Sequence, residues 1–190
     1  MYLLQTMKTE KILASLFLLT YILKCLAIPG GAFMMLIVLM ALSFVYFPGG
    51  FYFLADGNLK KQNIALSIVT GMVLSIVVLG LLFKLMYWPG AALMLLVSLG
   101  ITLPLTIAFY FIRKKEGDEL KGYYGKLLGR TVAGAVIALT FYLVPMSVLI
   151  RVQHWQDPEL ARRKILFYSD ESNEDYKKQY KDYLKKEQGE

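Results

Sequence analysis

Residues 62–112 read QNIALSIVTGMVLSIVVLGLLFKLMYWPGAALMLLVSLGITLPLTIAFYFI, and Lys84 is the one charge among them. It divides an uncharged run of 22 residues (62–83) from one of 28 (85–112). About 20 apolar residues, rising 1.5 Å each, cross a hydrocarbon core ~30 Å thick. Each run therefore predicts a spanning helix, and Pro89-Gly90 predicts a tight reversal between them. Proline ends one helix and presets the start of the next.

The same reading extends along the chain. Residues 31–55 and 131–150 are uncharged runs of 25 and 20 residues, and 10–28 is a further apolar stretch with Lys24 near its end. The expected architecture is an all-α, polytopic transmembrane bundle with spans near 10–28, 31–54, 63–87, 90–113 and 128–151. A domain over 1–156 then precedes a charged, amphipathic helical tail over 157–190. No small-x-small cleavage pattern follows the first stretch, so it reads as a retained helix and not a signal peptide.

Composition agrees with a lipid environment. Apolar residues make up 57% of the 190 and charged residues 18%, against about 45–50% and 25% in soluble domains. Residues 1–156 hold 13 Lys/Arg and 5 Asp/Glu, and 157–190 hold 8 and 9. The basic excess thus belongs to the apolar part. It lies in short connectors, not on a solvated face interleaved with aromatics, so nucleic acid is not an expected partner. Ten cations (Lys8, Lys11, Lys60, Lys61, Arg113, Lys114, Lys115, Lys121, Lys126, Arg130) fall on one side of the expected topology, and Lys24, Lys84 and Arg151 on the other. The positive-inside rule puts the N-terminus in the cytoplasm of an inner membrane and the tail in the periplasm.

The chain also repeats. YILKCLAIPGG (21–31) and LLFKLMYWPGA (81–91) each place a lysine five residues before Pro-Gly, and a methionine-bearing apolar helix follows. A degenerate third copy, VLIRVQHWQDP (148–158), sets Arg151 at the lysine position and Trp155 at that of Trp88, with no return helix expected. The duplication is of parallel type: two hairpins and a half-hairpin. The motif residues are Lys24, Pro29, Gly30, Lys84, Trp88, Pro89, Gly90, Arg151 and Trp155. A lysine one turn from a helix end stabilises its unpaired carbonyls, and the tryptophans suit an interfacial belt. Two readings stay open for Lys24, Lys84 and Arg151: a well-made interfacial turn, or a cluster at one membrane face that binds an anion.

GLLFKLMYWPGAALMLLVSLG (80–100) resembles the hairpin in the membrane domain of the L subunit of the Bacteroidota gliding-motility and type 9 secretion motor. The shared pattern is a glycine, Phe-Lys, two residues, an aromatic pair and an apolar return helix. The resemblance implies a membrane hairpin and, in that subunit, an intramembrane glutamate used in ion-driven rotation. Here no acidic residue is expected inside a span; the nearest is Asp56, in the turn ADGN (55–58).

Catalytic chemistry is sparse. There is one histidine (His154) and one cysteine (Cys25), and no metal-site, phosphate-loop or dinucleotide fingerprint occurs. No cofactor, metal or catalytic residue is expected. Ser67, Thr70, Ser75, Thr102, Thr106, Thr140 and Ser147 can bond across helices or to their own backbones. Gly71/Ser75, Gly125/Gly129 and Gly134/Ala138 are spaced for close helix packing. Pro104 and Pro145 predict kinks near Gly100–Ile101 and Phe141. In the tail, Asp157-Pro158 and Asn173-Glu174-Asp175 predict two helix starts. Tyr176, Tyr180, Tyr183, Leu184 and Glu187 form a stripe that can dock on the bundle, on lipid or on a partner. The expected function is a non-enzymatic subunit or scaffold of a larger envelope assembly, packed in the bilayer against other membrane proteins or copies of itself. The alternatives are a small transporter or channel with a cationic cluster, and a motor-like component suggested by the resemblance.

Overall fold

A computed structural model describes residues 2–49, 54, 63–170 and 172–188. Among the described residues every regular element is a helix: α1 (Tyr2–Cys25), α2 (Gly31–Tyr46), α3 (Ile64–Leu85), α4 (Ala91–Lys115), α5 (Asp118–Leu143), α6 (Met146–Gln153), α7 (Pro158–Ser169) and α8 (Glu174–Gln188). The expected ADGN turn lies outside the described residues.

Three of the five expected spans are helices long and apolar enough to cross a membrane: α3, α4, and Leu120–Leu143 of α5. The second is shorter than expected. Phe47 precedes Pro48 and is extended (φ −148°, ψ 122°), as steric conflict with a following proline ring demands. So α2 stops at Tyr46, and its 16 residues reach about 24 Å, less than the ~30 Å core. In the first, α1 begins at Tyr2, which places Glu10 and Lys11 within the helix. An acid thus lies within a helix where none was expected, although α1 is not among the helices long and apolar enough to cross a membrane.

The fifth expected span differs at both ends. Residues 116–117 alone separate α4 from α5, so most of the expected 113–130 connector is helix. At the other end, Pro145 does more than kink the helix. Val144 and Pro145 are both extended (ψ 120° and 148°), and α6 is a separate element. The third motif copy departs from the first two as well. A helix, α7, starts at Pro158, the position equivalent to Gly31 and Ala91, but it is polar and 12 residues long.

Packing follows the small residues. Helix α3 is central: 61% of its apolar window is buried, against 28% for α4 and for α5. Gly80 meets Leu95, and Gly134 meets Leu74. Ser43 Oγ and Ser75 Oγ, 2.6 Å apart, join α2 to α3. Ser67 bonds to the Tyr123 hydroxyl on α5, whereas Thr70, Thr102 and Thr106 donate back to carbonyls of their own helices. Phe109, Leu82, Leu95 and Met35 are fully buried, while Leu93, Leu103, Ile107, Val136 and Leu143 stand exposed. An apolar interior inside an apolar exterior is the pattern of a protein solvated by lipid.

The two reversals share one backbone. Gly30 (φ 87°) and Gly90 (φ 86°) precede the return helices, and Ala27 (φ 54°) and Tyr87 (φ 60°) are left-handed three residues earlier. The amides of Ile28 and Trp88 bond to the carbonyls of Leu23 and Phe83, closing each helix in a Schellman-type turn. His154, equivalent to Ala27 and Tyr87, has φ −122°, so the third copy turns differently.

A Cβ at Gly31 would lie 2.8 Å from the Lys24 backbone nitrogen, a contact that side-chain motion does not relieve. Gly31→Ala is expected to lower the thermal midpoint in detergent, at a cost of about 1–3 kcal/mol. Gly100 has open space, so Gly100→Ala in the middle of α4 gains up to about 1 kcal/mol. Equal midpoints for the two variants would contradict the close approach.

Candidate functional site

The polar groups of the bundle gather at its two ends. At the turn end, Trp155 Nε1 donates to the Cys25 carbonyl at 3.0 Å, and Gln153 Nε2 donates to the Leu85 carbonyl at 3.4 Å. Lys24 Nζ donates to that same Leu85 carbonyl. Cys25 and Leu85 occupy equivalent positions, each the last residue of its helix, where carbonyls lack intrahelical partners. Residues around α6 thus cap the ends of both α1 and α3.

At the opposite end, Arg130 on α5 forms a two-pronged ion pair with Glu10 on α1, at 2.9 Å for both bonds. The side chains are only 12% and 18% exposed. With Ser67–Tyr123 at that same end, these contacts make α1, α3 and α5 run parallel.

Tyr87 organises the turn end. Its left-handed backbone is unfavourable by roughly 1–2 kcal/mol for a non-glycine residue, and its side chain gains contacts on all sides. The hydroxyl donates to Gln153 Oε1 at 2.6 Å, the ring stacks near His154, and Tyr168 of α7 packs 5.5 Å away. Two ammoniums flank the ring: Lys24 Nζ at 5.1 Å and Lys164 Nζ at 4.3 Å from its centroid. Lys164 Nζ lies 3.0 Å from His154 Nε2. Burial and the Lys164 and Lys24 charges push the His154 imidazole down to about 4, although Asp157 opposes them. It is therefore neutral at pH 7 and accepts from Lys164. Burial pulls Lys164 itself down to about 8.

A cavity of about 360 Å³ opens beside this cluster, bordered by Lys24, Lys164, Tyr87, Tyr168 and Tyr180. Of the two open readings, the cluster of Lys24, Lys84 and Arg151 is not what borders this cavity. Lys24 lines this cavity, but Lys84 and Arg151 do not; Lys164 of the tail is the second cation. Lys84 is 8% exposed, and its ammonium makes no hydrogen bond or ion pair among the described residues. Arg151 is exposed and borders a separate apolar cleft with Trp155 and Pro158. Trp88 packs edge-on against Phe83. Pro29-Gly30 and Pro89-Gly90 form the reversals. Lys164 and Glu10 escaped the sequence reading because nothing local marks either. One sits in a mixed-charge tail and the other at the edge of an apolar run.

The tail folds onto the bundle. Asp157 Oδ1 caps α7 through the Leu160 amide, and Asn173 Oδ1 accepts from the amides of Asp175 and Tyr176. Tyr180 stacks on Phe167 at 5.5 Å, and Tyr183 donates to the Asp157 carboxylate. The tyrosine stripe of α8 thus rests on α7; the Glu187 side chain lies outside the described ones.

The matched hairpin is the centre of this bundle. Residues 69–128 match the GldL N-terminal domain. The match runs from Val69 in α3 through α4 to Leu128 in α5, 60 of the 190 residues. It includes Lys84, Tyr87, Trp88 and the Pro89-Gly90 reversal, but not α1, α2 or the tail. No curated protein and no solved structure matches the chain. The GldL-like segment contains no acidic residue before Glu116, and Lys84 is its one charge up to Ile112.

Two measurements follow. Glu10→Gln leaves Arg130 without a counter-charge in a mostly covered site and is expected to cost about 1–3 kcal/mol. Glu10→Leu/Arg130→Leu should recover part of that, read by thermal unfolding in detergent. The second concerns pH. Both His154 and Lys164 have folded values below their free ones, so each binds fewer protons when α7 is docked. Docking therefore weakens as pH falls from 6.5 towards 4 and strengthens from about 8 towards 10.5. Hydrogen exchange of 158–169, corrected for intrinsic rates, should be roughly two- to tenfold less protected at pH 5 than at pH 7.5. Protection that rises on acidification would reverse the sign.

Proposed function

We propose that this protein is a non-enzymatic structural subunit of a larger assembly in the inner membrane, with the N-terminus in the cytoplasm and the tail in the periplasm. One observation carries the reading: the return helix of the GldL-like hairpin is packed on one side and bare on the other. Leu95, Leu99 and Phe109 of α4 are buried, whereas Leu93, Leu96, Leu103, Ile107 and Phe111 on the same helix are 50–65% exposed. A membrane helix with a packed face and an unpartnered one suits association with a neighbouring span as well as with lipid. The parallel course of α1, α3 and α5 supports ends on opposite sides, and the Lys/Arg excess at the Glu10–Arg130 end supports the orientation.

A motor-like role draws on the GldL-like segment, but the hairpin lacks an acidic group to carry ions. A static role asks less of these residues. The partners are other membrane proteins or further copies of the chain.

The test is cross-linking and mass spectrometry on membranes in which a tagged full-length chain is expressed at native level. Reproducible cross-links from α4 to another membrane protein or to a second copy are expected. A monomer without α4 cross-links would refute the assembly reading. Cysteine variants Lys8→Cys and Lys178→Cys, in a Cys25→Ser background, should label from opposite sides of the membrane.

A further inference from the structure

The turn-end cavity is bordered by two cations that form no ion pair among the described residues. Lys24 and Lys164 both border it and both stand over the Tyr87 ring, so their separation cannot exceed the sum of 5.1 Å and 4.3 Å. Each ammonium has three N–H donors, and the acceptors it meets are neutral: the Leu85 carbonyl for Lys24 and His154 for Lys164. The ion pairs among the described residues join Lys121 to Asp118, Arg130 to Glu10, Arg163 to Glu159 and Lys177 to Glu174. None of them reaches these two lysines. The nearest carboxylate of the elbow, Asp157, is engaged by the Leu160 amide and the Tyr183 hydroxyl.

Like charges held this close in a partly covered site are unfavourable without a counter-ion. Donors remain, and there is space. At about 360 Å³ the cavity is roughly ten times a water's share of liquid volume, enough for a phosphate and the group it esterifies. Its depth is also informative. Lys24 lies in the last turn of α1, and Met86 and Tyr87 directly follow the membrane helix α3, which is headgroup level.

We propose that the cavity between Lys24, Lys164, Tyr87 and Tyr180 binds a phosphate ester, with the two ammoniums as its charge partners. The tail helices form the outer wall of the site, so occupancy ties α7 and α8 to the hairpin ends. The lowered Lys164 value is consistent with a cation that is desolvated before its anion arrives. This inference does not depend on partners in an assembly. A failed cross-linking experiment leaves it standing.

The experiment uses the full-length chain in detergent, titrated with phosphatidylglycerol or phosphatidylcholine and followed by native mass spectrometry. Glycerol phosphate and acetate at matched ionic strength are followed by thermal shift. Lys164→Gln tests the site without disturbing the Leu85 cap, Lys24→Gln removes the second charge, and exposed Lys178→Gln is the control. Preferential retention of phosphatidylglycerol, weakened roughly tenfold in Lys164→Gln and unchanged in Lys178→Gln, supports the proposal and identifies a lipid headgroup. Stabilisation by glycerol phosphate that is lost in the same variant supports it and identifies a soluble ester. Retention that ignores lipid charge together with no glycerol phosphate shift, an equal shift from acetate, or wild-type binding by Lys164→Gln would overturn it.

Discussion

A helix that ends at the edge of a bilayer leaves carbonyls with neither backbone nor water to bond, and two ends of this bundle face that constraint at one level. The Cys25 and Leu85 carbonyls are equivalent in the two hairpins, and their partners come from elsewhere: Trp155 for the first, Lys24 and Gln153 for the second. The Leu85 carbonyl is covered, so without Gln153 and Lys24 it would be left unpaired at a cost. The position of α6, and with it the elbow that carries the tail, follows from this need.

Tyr87 shows how the cost of a reversal is offset. A glycine there would take the left-handed backbone without strain, but it could not reach Gln153, accept two ammoniums on its ring or pack Tyr168. The first hairpin has Ala27 at that position, and its turn gains no comparable set of side-chain contacts. The two reversals share a backbone, yet only one has become a hub.

Much of this was legible in the sequence. The uncharged runs gave α3, α4 and most of α5, the Pro-Gly pairs gave both reversals, and Asp157 and Asn173 announced the tail helices. At Phe47-Pro48 and Val144-Pro145 the steric demand of proline on the residue before it ends a helix inside an uncharged run, which apolar length alone does not reveal. Glu10–Arg130 was invisible because 120 positions separate its members, and opposite charges at two helix margins carry no local pattern. Lys164 was hidden for a related reason. Which tail lysine folds back is decided by the Asp157 elbow and by Tyr168 against Tyr87, both long-range contacts. The sequence also pointed to Lys84 and Arg151 by analogy with Lys24, but equivalent positions on parallel helices face different neighbours.

The donors that close the two hairpins lie in the last quarter of the chain. During synthesis α1 to α4 are complete well before Gln153 and Trp155 leave the ribosome. Until then the Cys25 carbonyl has no Trp155 to bond it, and the Leu85 carbonyl has only the Lys24 ammonium. The bundle is thus completed from its end, like an arch whose last stone bears on both sides, and an insertion halted after α5 yields a protein with every long helix present and its crown unlocked.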